Sequence, residues 1–74
     1  MMDKKEFYIG DMIRSNCKTL YHDAIGIIIG KKIKEHNSSA YYEYVIFGIC
    51  FPDKRYGQIG TPFNRNSQEM ILIS

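Results

Sequence analysis

The chain has 74 residues, two cysteines and a formal charge of +2. A chain of this length makes one domain, buries only about 60% of the surface its unfolded form exposes, and has little room for an elaborate active site. The mildly basic balance, with an isoelectric point near 8.6, permits nucleic acid without arguing for it, and no apolar stretch approaches the roughly 20 residues of a membrane span.

Small domains usually gain stability from disulfides, metals, oligomerisation or a partner. Cys17 and Cys50 stand far apart, with no second thiol near either. The opening Met1-Met2-Asp3-Lys4-Lys5-Glu6 lacks the apolar stretch of a signal peptide. The expectation is a reduced, cytoplasmic protein whose thiols act as small hydrophobes, with a single Cys17–Cys50 bridge as the minor alternative. Leucine occurs only at Leu20 and Leu72 while isoleucine abounds, and lysine outnumbers arginine. AT-rich coding sequence produces that usage, which points to a phage or another AT-rich microbial genome, and to the host cytoplasm if phage-encoded.

In chain order, Met1 to Glu6 is polar and predicted to fray. Phe7 to Arg14 reads as a first strand, with a kink or tight bend at Gly10-Asp11. Ser15 to Asp23 has no clean period and reads as an excursion loop held down by Leu20 and Tyr21. Ala24 to Ile33 is the strongest strand signal, because consecutive isoleucines disfavour helix and suit a pleated sheet. Glu35 to Ala40 reads as a polar hairpin tip. Asn37-Ser38-Ser39 within it matches a glycosylation sequon, which without secretion is only loop. Tyr41 to Phe47 pairs back, with room to extend to Phe51. Pro52-Asp53-Lys54 is a turn, Gln58 to Phe63 a short strand broken by Pro62, Asn64 to Ser67 a loop, and Glu69 to Ile73 the closing strand. No segment holds a helical period over ten residues.

Gly10-Asp11-Met12-Ile13-Arg14, Gly26-Ile27-Ile28, Tyr44-Val45-Ile46-Phe47 and Glu69-Met70-Ile71-Leu72-Ile73 follow one another in a layout that resembles an SH3-like small barrel of KOW type. The resemblance implies an all-β, mostly antiparallel, five-stranded barrel spanning residues 1–74 as a single domain. The OB fold, its main competitor, calls for a longer chain and a helix between its third and fourth strands.

Chemistry is sparse. Gly26 and Gly30 bracket isoleucines in a strand rather than a strand-to-helix phosphate loop. His22 and His36 fall on separate loops without metal-ligand spacing. Cys17 lies five residues from His22, but no third group orients the histidine as a base. No catalysis, cofactor, metal or small-molecule substrate is expected.

Side chains alternate across a strand, so each run divides into two faces. Val45, Phe47, Ile27, Ile29, Met70 and Leu72 are assigned to the inside. Tyr42, Tyr44, Ile46, Ile28 and Ile71 then fall outside. The plain reading is that loops and termini cover this excess. The sharper one is an apolar and tyrosine patch, with Tyr42, Tyr44, Ile46 and Ile28 as a protein-binding stripe. The same tyrosines could also stack on bases.

Lys31, Lys32 and Lys34 flank the hairpin tip, and Lys54, Arg55 and Tyr56 sit in the Pro52 turn. Such groups are usually solvated loop charge. If tip and turn meet at one end of the barrel, they could face phosphates, as the loops of KOW-type barrels do. The leading expectation is a non-catalytic adaptor or regulator docking on a larger protein assembly, or on itself. The alternative is a KOW-type nucleic-acid-binding accessory factor of transcription or translation.

Overall fold

The structure, a computed structural model, describes residues 6–16 and 21–74. Within them the chain is all-β: β1 (Met12–Ser15), β2 (Ile25–His36), β3 (Ser39–Cys50), β4 (Pro62–Asn66) and β5 (Met70–Leu72), with one 3-10 turn, Ser67–Glu69, before the last strand. All pairings are antiparallel, and the sheet order is β4-β3-β2-β1-β5. The chain runs as a meander whose last strand returns beside the first.

Local chemistry explains where the strands begin and end. The first strand starts at Met12 rather than Phe7, because Tyr8 to Asp11 closes a turn. Gly10 takes φ +100° there, and the Asp11 carboxylate accepts from the Tyr8 N–H at 2.9 Å. The hairpin tip is shorter than six polar residues suggest. Asn37 and Ser38 both adopt positive φ in a two-residue turn, so His36 already pairs with Ser39. Pro62 opens β4 instead of breaking a strand, which suits a residue that cannot donate to the ladder. Asn64 to Asn66 continues that strand. Asn66 then caps the 3-10 turn: its side chain accepts from the Gln68 N–H, and the Glu69 side chain accepts from the Asn66 N–H.

Two bulges set the curvature of the long β2–β3 hairpin, one beside Gly26 and one at Ile29. Gly26 stands where strands close on the core: a Cβ there would collide with the Ile46 side chain and the Phe47 carbonyl oxygen. The bulge at Ile29 also reverses the alternation, so Ile28 faces inward before it and Lys31 and Ile33 lie on that same face after it.

The core consists of Ile13, Ile28, Tyr44, Ile46, Phe63 and Met70, closed by Phe7, Ala24 and Phe51. This reverses the face expected from sequence. Ile28, Tyr44 and Ile46 are buried, whereas Phe47 is 40% and Ile29 51% exposed. Ile27 and Val45 are half-buried, Met70 is buried as expected, and Ile71 is exposed as expected. Leu72, opposite Ile13 on the edge strand, is exposed because β5 ends there. Both faces of β2 and β3 carry apolar residues, so alternation alone cannot choose between them, and a one-residue error inverts every assignment. Polar partners break the tie. The Tyr44 hydroxyl accepts from the Phe7 N–H at 3.3 Å inside the core, so burial leaves that oxygen bonded.

Arg65 is the unusual core member. It projects inward opposite Tyr44, is 8% exposed, and donates from Nε to Ser15 Oγ at 3.1 Å and from a terminal nitrogen to the Asn64 carbonyl at 2.8 Å. Its guanidinium carbon lies 4.9 Å from the Tyr21 ring centroid. Tyr21 in turn stacks on Phe63 and meets Phe51 and Tyr56. Tyr21 thus anchors the excursion loop as expected, while the roles assigned to Leu20 and Cys17, and the fraying of residues 1–5, lie outside the described residues.

Candidate interaction surface

The outer face of the sheet carries the feature that the inverted assignment concealed. Met12 pairs with Ile27, Ile27 with Phe47, and Phe47 with Pro62, so one apolar side chain from each of four neighbouring strands stands in a single row. Ile73 extends the row at the edge, where its N–H and that of Ser74 both donate to the Met12 carbonyl. Val45 lies one row to one side, Ile25 one row to the other with Ile71 beyond Arg14. Met12, Ile25, Ile27 and Val45 are half-buried; Phe47, Pro62, Ile71 and Ile73 are exposed. An antiparallel sheet with one solvated face normally shows apolar residues inside and polar ones outside, whereas strands covered on both faces read as near-continuous apolar runs. Ile25 to Ile29 and Tyr44 to Phe47 are of the second kind.

Of the stripe expected to bind protein, only Tyr42 is at the surface. It sits on the distal half of the β2–β3 hairpin, residues 31–42, which runs past the ends of the neighbouring strands and is exposed throughout. On one side of this ribbon, Ile33 and Tyr42 pair across the strands, with Lys31 against the rings of Tyr42 at 4.3 Å, Tyr44 at 5.7 Å and Tyr8 at 6.0 Å. Desolvation among these groups works against the Lys31 charge. A 3.3 Å hydrogen bond to Glu6 and the pull of the two nearer tyrosines outweigh it, so its pKa is raised. The other side carries Lys32, Lys34 and Tyr41, with Lys34 at 3.7 Å from Glu43.

The expected basic site is not brought together. The hairpin tip and the Pro52 turn lie at opposite ends of the twelve-residue strand β3. At the turn, Arg55 forks onto Asp53, with Nη2–Oδ2 at 2.7 Å and Nε–Oδ1 at 3.0 Å. The Arg55 side chain, then its backbone N–H, hold the Asp53 carboxyl down to about 2, and Asp53 raises Arg55 in return. Tyr56 tilts against Tyr21 at 5.4 Å between centroids, so its ring serves the aromatic cluster rather than standing free. Lys54 is exposed. Beside it the turn encloses an open cleft of about 620 Å³ between Ile49, Phe51, Tyr56 and Ile59, with Cys50 at its wall. Sequence patterning gave no signal for this cleft, because it is formed by an irregular segment.

Among the described residues, no group of three or more His, Cys, Asp and Glu side chains could hold a metal ion, and no helix is long and apolar enough to cross a membrane. Comparison with protein-family models, curated proteins and solved structures finds no match for the chain.

Proposed function

We propose that the protein is a non-catalytic interaction module that docks on a larger protein assembly through the outer face of its sheet. One observation carries this reading: the Met12–Ile27–Phe47–Pro62 row is apolar on four strands although the opposite face already supplies the core. Contiguous exposed apolar surface on a small domain marks an interaction site more often than isolated surface hydrophobes do. The nucleic-acid alternative draws less support, because Lys31, Lys34 and Arg55 each face a carboxylate and the two basic groups are far apart.

The test is capture from host lysate by immobilised wild type, Phe47→Glu and the ribbon variant Tyr42→Ser. Phe47→Glu places a charge in the middle of the row, whereas Tyr42→Ser leaves the row intact. The reading expects a set of proteins held by wild type and Tyr42→Ser but released by a folded Phe47→Glu. Equal capture by all three overturns it.

A further inference from the structure

Apart from the outer sheet face, we infer that the cleft beside the Pro52 turn is a peptide-docking site, taking an apolar side chain of a partner protein that has an acidic residue next to it. The frame of the cleft, its lining and its charge each point to that occupant.

The cleft lies between two tied turns. On one side the Tyr56 N–H donates to the Asp53 carbonyl at 3.1 Å, and the Arg55 backbone N–H donates to the Asp53 carboxylate at 3.0 Å, which fixes Lys54 and Arg55 at the corners. On the other side the Thr61 N–H donates to the Gln58 carbonyl at 2.9 Å and the Gln58 N–H donates to Thr61 Oγ1 at 3.0 Å. Gly60 takes φ +97° at the corner next to Ile59, a position where such a turn favours glycine. This second turn is also bonded to β3 in both directions: the Gly60 N–H donates to the Gly48 carbonyl at 2.8 Å, and the Gly48 N–H to the Thr61 carbonyl at 3.1 Å. The walls are therefore in place before an occupant arrives, and little ordering entropy opposes binding.

The lining is apolar. Phe51 is buried, Ile49 and Tyr56 are half-buried, and Ile59 is 76% exposed, more than any other large apolar side chain among the described residues. An isoleucine held that far into water by a tied turn has the most to gain from being covered. The volume of about 620 Å³ falls within the range of ligand pockets, but the cleft is open. A site for a free small molecule encloses roughly 70–90% of its ligand. A peptide inserts one side chain and leaves its backbone outside, so an open cleft suits it.

Charge selects the neighbour of that side chain. Lys54 and Arg55 line the cleft, and no carboxylate does. Arg55 is forked onto Asp53, whereas Lys54 has no carboxylate partner among the described residues. One positive charge is left over at the rim. An acidic residue beside the inserted side chain complements it, and a basic one is repelled.

Nitrogen-15 NMR of the full chain, titrated with three blocked tripeptides, tests this. The probes are acetyl-Asp-Phe-Asp-amide, acetyl-Asn-Phe-Asn-amide and acetyl-Lys-Phe-Lys-amide. The acidic peptide is expected to move the signals of residues 49–61, with a Kd on the order of 1 mM. The Asn peptide is expected to bind about threefold more weakly, the scale of a solvated charge pair, and the Lys peptide more weakly still. Ile59→Ser is expected to weaken the acidic peptide by about fivefold or more. Lys54→Gln should erase its advantage over the Asn peptide, and the ribbon variant Tyr42→Ser should change nothing, with folding of each checked by circular dichroism. No movement of residues 49–61 up to about 10 mM acidic peptide overturns the inference. So does equal binding of the acidic and basic peptides, or binding indifferent to Ile59→Ser. None of these outcomes bears on the lysate proteins released by Phe47→Glu, so the outer-face reading stands or falls separately.

Discussion

Arg65 on β4 and Ser15 on β1 meet beneath the sheet, Nε donating to Oγ at 3.1 Å across fifty residues of sequence. The bond joins two strands that are not neighbours in the sheet order, so it reports closure of the domain rather than pairing within it. Ser15→Ala leaves a buried charged donor without this acceptor and is expected to cost about 1–3 kcal/mol. Arg65→Lys keeps the charge but loses the planar stack on Tyr21 and the second bond to the Asn64 carbonyl, and a loss of similar size is expected. Urea unfolding of both variants checks this. Wild-type stability in Arg65→Lys would show that the stack contributes nothing.

The assignment of faces is tested by substitutions at two positions three residues apart, Tyr44 and Phe47. Tyr44 is 1% exposed, so Tyr44→Ala is expected to lower stability by roughly 3–5 kcal/mol, enough to unfold a small domain. Tyr44→Phe removes only the hydroxyl that accepts from the Phe7 N–H, at a cost of about 1 kcal/mol. Phe47→Ser, on the outer face, is expected to change monomer stability by less than about 1 kcal/mol. Thermal melts at low protein concentration measure all three, and a reversed order would return the core to the other face.

Asp53 gives a pH signature. Its carboxyl is held at about 2 by the Arg55 side chain first and the Arg55 backbone N–H second. A depressed folded-state pKa contributes stability that is present above the unfolded value, about 3.9, and is lost as pH falls through about 2. Near neutrality that contribution is fully present and does not vary with pH. Carbon-detected NMR titration of Asp53 should give a midpoint near 2, moving up toward the ordinary carboxylate range in Arg55→Ala. An ordinary midpoint in the wild type would mean the fork does not persist in solution.

Lys31, Lys32 and Lys34 lie where β2 has run past β1, on a strand edge that no described residue pairs. Lysine on an exposed edge discourages edge-to-edge pairing between copies. Lys32→Val combined with Lys34→Val is expected to produce thioflavin-positive aggregate at concentrations where the wild type stays clear. Clear solutions of the double variant would remove this role from the lysines.

The sequence by itself determined the strands. Three successive isoleucines, the tyrosine-rich run after Ala40 and the closing Met70-Ile71-Leu72 are extended because β-branched and aromatic side chains suit a pleated sheet. The all-β class was legible for the same reason. Two turn signals were also readable in principle: Asn37-Ser38 for a two-residue hairpin, and Asn66 with Glu69 for the capped 3-10 turn. The inward face was not legible. β2 and β3 are apolar on both sides, and a bulge at Ile29 exchanges the sides partway along β2. Only tertiary structure decided it, by giving the Tyr44 hydroxyl a buried donor, letting Gly26 admit Ile46, and placing Arg65 against Ser15 and Tyr21. These contacts join residues between 20 and 50 positions apart, a separation that period-two patterning does not encode. The same contacts left Ile27 and Phe47 facing outward, and so placed the candidate surface on the side opposite to the one that alternation suggested.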